Sequence, residues 1–230
     1  MRILFDNYLI DSTLTATNTN PSYPLSNLKH EFIEKIYKGT GTNETIGINF
    51  GDDKTVNCCY VGYTNGTAFT LKLYSSSDAL LATKVLETTY NCLTFPAVIG
   101  VRCATLQIVA PETVYAGNIG IGFSYEMPAP NMGVVEKLVD NSIIVSNARG
   151  QTLINKIAPL RNVPTSFTTT SQDVYNQVKM FINDNDRPVW VDVFENNHPR
   201  IPPIYGRISF TEPKQAYGVY RFNLDTLEAR

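Results

Sequence analysis

The stretch 45–75, TIGINFGDDKTVNCCYVGYTNGTAFTLKLYS, constrains the fold more than any other, because apolar residues recur there at every second position. A period of two puts successive side chains on opposite faces of an extended strand, so one face is buried and the other is wet. Ile46, Ile48 and Phe50 make the first such run, Gly51-Asp52-Asp53-Lys54 reads as a turn, and Val56, Cys58 and Tyr60 resume the period. Phe69, Leu71 and Leu73 follow Asn65-Gly66, a pair that tolerates the positive φ of tight hairpin turns. The expectation is a meander of consecutive hairpins inside a β-sandwich.

Further alternations flank this stretch. Residues 3–10, 80–86, 94–109 and 117–123 each carry a strand pattern. Along 100–109, Val101, Cys103, Thr105, Gln107 and Val109 share one face, while Arg102, Ala104, Leu106 and Ile108 share the other. Both faces carry several apolar residues, so the sequence leaves open which is buried. The cluster Gly117-Asn-Ile-Gly120-Ile-Gly122 leads into more strand, whereas a phosphate-binding glycine loop must lead into a helix whose N-terminal amides receive the anion. Glycines within a strand mark a bulge or the close approach of another backbone.

At 230 residues and 43% hydrophobic content, the chain has room for two domains, each with its own core. A net charge of −2 and a pI near 5.7 provide no basic field for a phosphate backbone, so no nucleic-acid partner is expected. The charged fraction of 17% is low and is consistent with a surface partly covered by a partner. No apolar run approaches the roughly 20 residues that cross a bilayer, so no membrane insertion is expected. The first ten residues, MRILFDNYLI, carry an acid and no small-residue cleavage site, which implies cytoplasmic synthesis without export.

Catalytic and metal chemistry find little footing. Cys58, Cys59, Cys92 and Cys103 form no C-x-x-C pair and lie near no histidine at ligand spacing, so they read as apolar filler in strands, with no metal and no cofactor. The adjacent Cys58 and Cys59 should point to opposite faces, leaving at most one for the core. Asp52-Asp53 offers oxygen ligands to calcium, but aspartate is also a favoured turn residue and a solvated turn is the simpler reading. His30 and His198 belong to different predicted domains, outside any nucleophile–base arrangement. Asp192 and Glu195 could be paired for glycoside cleavage only at a separation that sequence does not fix. No enzyme is expected.

A Pro-rich, poorly patterned stretch at 126–140 marks a stiff linker between a domain at 1–125 and a second at 141–230. In the second, a helix over 168–184 is capped by Ser171 or Thr170, carries Asp173 in its first turn, and presents Val174, Val178, Phe181 and Ile182 on one face. Strands at 189–194, 205–210 and 219–224 supply its sheet. The fold class is therefore mainly β: an N-terminal β-sandwich jelly roll followed by a small α+β domain with one helix packed on a sheet.

The order of signals over roughly the first 125 residues resembles the discoidin-like, galactose-binding-like jelly rolls: 20–28 ahead of the first core strand, Ile46-Gly-Ile-Asn-Phe-Gly51, 56–63, Thr70-Leu-Lys-Leu-Tyr-Ser75 and 114–122. Many members of that family bind sugars or lipids through loops at one end of the sandwich, often near a calcium ion. The resemblance implies carbohydrate contacts through the loop tyrosines Tyr23, Tyr37 and Tyr63, since the only tryptophan, Trp190, falls outside the predicted jelly roll. The stretch 170–192, a capped helix leading through Asp186-Arg-Pro188 into an aromatic strand, is similar to modules of the distal and minor tail proteins of tailed bacteriophages. That resemblance implies a virion structural protein of the tail tip or baseplate, made in the host cytoplasm. Its partners would be further copies in a homo-oligomeric ring and other phage tail proteins, with His198, Arg200 and Pro202 of the Pro-rich loop 196–203 among the assembly contacts. The alternative is a receptor-recognition module that binds a cell-surface glycan through the jelly-roll loops.

Overall fold

The computed structural model describes residues 1–30, 35–86, 91–131, 134, 136–140, 143–146, 152–155, 160–183, 187–193, 203–211, 214–216 and 218–229. Its strands, in chain order, are β1 (Arg2–Asn7), β2 (Thr13–Ala16), β3 (Tyr37–Lys38), β4 (Asn43–Gly62), β5 (Ala68–Tyr74), β6 (Leu80–Leu86), β7 (Cys92–Val109), β8 (Tyr115–Ala116) and β9 (Asn118–Glu126). Then come β10 (Lys137–Val139), β11 (Ile143–Ser146), β12 (Thr152–Asn155), β13 (Leu160–Thr169), helix α1 (Gln172–Asn183), β14 (Val189–Asp192), β15 (Ile204–Phe210), β16 (Lys214–Ala216) and β17 (Val219–Glu228). The chain is mainly β and divides into two compact units, Met1–Met127 with Val189–Tyr205, and Pro128–Pro188 with Gly206–Arg230.

The first unit is an antiparallel sandwich in which strands neighbour one another in the order β14-β1-β9-β4-β7-β5-β6, with β2 on β4. Strand β4 runs 20 residues and β7 runs 18, and each serves more than one part of the sandwich. Residues 46–49 of β4 pair β2, residues 58–62 pair β9, and β7 follows both halves. Between the halves the ladder shifts register at 49–58, with Gly51 and Gly100 at φ 79° and 76°. An expected turn at 51–54 is therefore a bend within one continuous strand, because bulges backed by positive-φ glycines turn a strand without ending it.

The expected meander is corrected in a second place. β5 does not pair β4; it pairs β6 and β7, so β7 lies between them. Positive φ falls at Tyr63 (46°) rather than at Asn65-Gly66. Gly66 is needed for space, since a Cβ there would stand 2.5 Å from the Phe69 ring and 2.8 Å from Ile108 Cγ2.

The core fills the space between the layers with Ile46, Ile48, Val56, Cys59, Val61, Phe69, Leu71, Leu73, Leu106, Ile108, Ile119 and Ile121. Burying each of the larger aliphatic or aromatic side chains contributes about 1.5–3 kcal/mol. Along β7 the buried face is Ala104, Leu106 and Ile108, which resolves the ambiguity of 100–109.

Cys58 and Tyr60 point away from this core and are nevertheless buried. Cys58 lies against Gly122 and Ser124 of β9, and Tyr60 is covered by β14, which pairs β1 through Ile3↔Val191 and Leu4↔Trp190. The Trp190 indole stacks on Tyr60 with ring centroids 5.4 Å apart and planes 9° from parallel, and leans on Tyr205 at 5.4 Å. Trp190 Nε1 donates to Asn118 Oδ1 at 3.0 Å, and Asn118 Nδ2 donates to His30 O at 3.2 Å. Residues 189–205, and Trp190 with them, thus belong to the first unit rather than the second domain. The pattern of Val189–Asp192, buried at every position, fits an interior strand covered on both faces.

The glycine cluster is explained here too. A Cβ on Gly120 would stand 2.6 Å from Trp190 Cδ1, and one on Gly122 would run into the Asp6 carbonyl oxygen.

The second unit orders its sheet β10-β13-β17-β15, with β16 also on β17. β13 and β17 pair from Asn162↔Leu227 to Thr169↔Tyr220. Helix α1 starts later than expected, at Gln172, where Ser171 Oγ accepts from Val174 N at 3.4 Å. Its buried stripe includes Val178 and Phe181, with Phe181 stacked on Phe210 at 6.2 Å and Tyr175 against Tyr220 at 4.5 Å. The described residues of 126–140 are tied into the two units: Glu126 pairs Arg2, Met127 N donates to Met1 O, Asn131 N donates to Ser166 O, and β10 pairs β13. Backbone groups satisfied in this way do not act as a free spacer.

Candidate functional site

One end of the sandwich carries a row of aromatic and cationic side chains. It is built on the two-residue ladder between β3 and β8, where Tyr37 faces Ala116 and Lys38 faces Tyr115. Residues directly opposed in an antiparallel pair project to the same side, with Cβ atoms about 4.5–5.5 Å apart. Tyr37 and Ala116 turn inward and are fully buried; Lys38 and Tyr115 turn outward and are half-buried.

Each outward residue has an aromatic neighbour. The Lys38 ammonium sits 4.3 Å from the centroid of the Tyr23 ring, within the range of a cation–π contact. The Tyr115 ring lies 6.0 Å from that of Tyr63 at 50°. The row therefore reads Tyr23, Lys38, Tyr115, Tyr63. Tyr63 is its most open member, with 61% of its surface exposed.

The loops beneath are tightly bonded. Thr64 Oγ1 donates to Tyr115 O at 2.7 Å, Asn65 Nδ2 donates to Thr113 O at 2.9 Å, and Asn65 Oδ1 accepts from Tyr115 N at 3.0 Å. Gly117 N donates to Gly62 O at 3.0 Å, closing the base of Tyr63. On the other side, Asn20 N donates to Lys38 O at 3.1 Å and Tyr23 N donates to Asn20 O at 2.9 Å. A left-handed backbone at a bulky residue costs on the order of 1–3 kcal/mol and persists only where its surroundings hold it. Here these hydrogen bonds hold Tyr63.

Glu44 anchors the Tyr23 side. Its carboxylate is fully buried and accepts from Thr17 Oγ1 at 2.9 Å, Asn18 N at 3.2 Å, Thr40 N at 3.1 Å and Gly41 N at 3.0 Å. A buried charge is tolerated where its lone pairs are filled in this way. Tyr37 completes the anchor, its hydroxyl donating to Asn18 O at 2.7 Å. Burial, and then the Glu44 charge, push the Tyr37 phenol up to about 12.

Of the tyrosines expected to contact sugar, Tyr23 and Tyr63 lie on this row, at its two ends. Tyr37 does not: alternation along β3 sends it into the core, where no ligand reaches it. Tyr115 and Lys38 went unrecognised in the sequence, although Tyr115 stands between Val114 and Ala116 in an apolar alternation that marks it as outward-facing. His198, Arg200 and Pro202 lie outside the described residues. Asp53 is paired with Arg102 Nε at 2.8 Å, and among the described residues no three or more His, Cys, Asp or Glu gather into a metal-binding group. No helix among the described residues is long and apolar enough to cross a membrane.

No protein-family profile matches the chain, and no curated protein matches it by sequence. Solved structures do. Similar ones include chitosan-binding module 1 of a chitosanase/glucanase from Paenibacillus sp. IK-5, at 14% identity and a TM-score of 0.43, covering 51% of this chain and 98% of that one. The lectin domain of lectinolysin complexed with Lewis B antigen aligns at 9% identity and a TM-score of 0.44, covering 54% and 99%. A fucose-binding module from Streptococcus pneumoniae aligns at 9% identity and a TM-score of 0.43, covering 53% and 100%. These neighbours are carbohydrate-binding modules and lectin domains, each matched along nearly its whole length by about half of this chain.

Proposed function

We propose that the first unit is a saccharide-binding module whose contact surface is the row Tyr63, Tyr115, Lys38 and Tyr23. The observation that carries this reading is Tyr63, an aromatic ring left 61% exposed beside a second tyrosine, on a loop whose other polar groups are consumed in holding it. Aromatic rings offer the C–H face of a pyranose a large apolar surface at low conformational cost, and phenol hydroxyls at the edge bond the sugar's own hydroxyls. Such a site recognises and retains a ligand without transforming it.

A glycan array probed with the full chain and with Tyr63→Ala tests the reading. Binding that falls about tenfold in the variant, equivalent to about 1.4 kcal/mol of lost contact, supports it. An array without saturable signal refutes it.

A second reading is structural assembly in the tail tip or baseplate of a phage virion with further copies and other tail proteins; of this, a different observation favours association alone. Edge strand β6 exposes Leu80, Leu81 and Val85 at 55%, 41% and 67%. Unpaired edges with apolar side chains invite association. Light scattering of the protein, alone and with tail proteins from the same source, tests this reading. A persistent monomer that ignores them overturns it.

A further inference from the structure

Resting on the saccharide-binding reading above, we infer that the site selects acidic saccharides, those bearing a carboxylate or sulfate, through Lys38. The Lys38 ammonium is fixed over the Tyr23 ring at 4.3 Å, and its backbone is held on both sides by Tyr23 O and Asn20 N. Among the described residues no carboxylate is paired with it. Glu44, in the underlying loops, is buried and already saturated by Thr17, Asn18, Thr40 and Gly41.

The segments that carry the row, 17–24, 35–42, 63–67 and 110–115, hold Lys35 and Lys38 against a single acidic side chain, Glu112. With the buried Glu44 beneath these segments the charges balance, so discrimination rests on the position of Lys38 and not on a net local field. A ring stacked on Tyr115, with Tyr63 at its edge, brings its substituents toward Lys38, which follows Tyr115 in the row. A three-donor ammonium gains more from an anionic oxygen than from a sugar hydroxyl, because charge-assisted hydrogen bonds are shorter and stronger. The aromatic platform supplies affinity, and the cation supplies discrimination.

The test is an array of matched pairs differing in the anionic group: galactose and galacturonate oligomers, glucose and glucuronate oligomers, plain and sulfated lactose. It is followed by titration of the best pair with the full chain and with Lys38→Met, Lys38→Arg and Tyr63→Ala. The anionic member is expected to bind about tenfold more tightly, in line with a hydrogen bond to a charged group. That preference disappears in Lys38→Met and survives in Lys38→Arg, while Tyr63→Ala weakens both members.

The carboxylate and sulfate arms distinguish the two sources of charge. In the unmodified protein the preference also shrinks as sodium chloride rises, because salt screens a partly exposed pair, so the inference does not depend on any variant folding. Equal binding of neutral and anionic members overturns the acid preference and leaves the saccharide reading standing. Absence of binding to every saccharide overturns both.

Discussion

Replacing Glu44 by Gln tests how the candidate site is held. The substitution preserves volume and removes one charge and one acceptor from a fully buried position with four donors around it. The amide can offer its oxygen to only one pair of donors. Turned toward Thr40 N and Gly41 N, it keeps both backbone bonds and places its NH2 group against Thr17 and Asn18. The Thr17 hydroxyl can rotate to accept, but the Asn18 amide cannot, so one donor is orphaned at about 1–3 kcal/mol, the low end applying because Asn18 lies near solvent. The two retained bonds fall from charge-assisted to neutral strength, a loss of about 1 kcal/mol each. Relief from burying a charge offsets part of this sum.

The expected destabilisation is about 2 kcal/mol. Urea unfolding followed by the fluorescence of Trp190, the only tryptophan and a member of the same unit, should show a lower midpoint at unchanged slope. Amide exchange at Asn18, Thr40 and Gly41 should accelerate with it. A change below about 0.5 kcal/mol, the range of an ordinary surface substitution, with exchange unaltered, would refute the view that this carboxylate ties the two loops together.

Other perturbations probe the frame around the site. Gly122→Ala drives a methyl group into the Asp6 carbonyl and should cost about 1–3 kcal/mol or more, read as a lower thermal midpoint; an unchanged midpoint would show that β1 can move away freely. Alkaline pH should destabilise the first unit. Burial raises the Cys58 thiol from 9.0 to about 12 and the Tyr37 phenol from 10.0 to about 12, so the unfolded chain loses these protons first. Stability is then fully present below about pH 9 and falls as pH rises from 9 to 12; a flat profile across that window would contradict the burial of both groups. Trp190 should emit at short wavelength and resist acrylamide quenching, since it is only 5% exposed. Emission typical of an exposed indole would remove β14 from the first unit.

Sequence alone determined what period and polarity determine. Alternation at 46–50, 56–60 and 69–73 requires strands with one buried face, and the 3.6-residue stripe from Val174 to Ile182 requires a helix against a sheet, because local geometry fixes which side chains share a side. Tyr23 and Tyr63 were legible as loop aromatics for the same reason: turn residues surround them. Which strands neighbour one another was not legible. β7 enters between β4 and β5, and β14 arrives from the far side of the second unit's helix in the chain; both choices are made by the burial of long-range partners, which leaves no local mark. Tyr37 shows the limit most directly. Its neighbours in sequence look like those of an exposed loop residue, yet pairing with Ala116 turns it inward and leaves Lys38 and Tyr115 to form the outward face, since a one-residue change of register exchanges the faces of a strand.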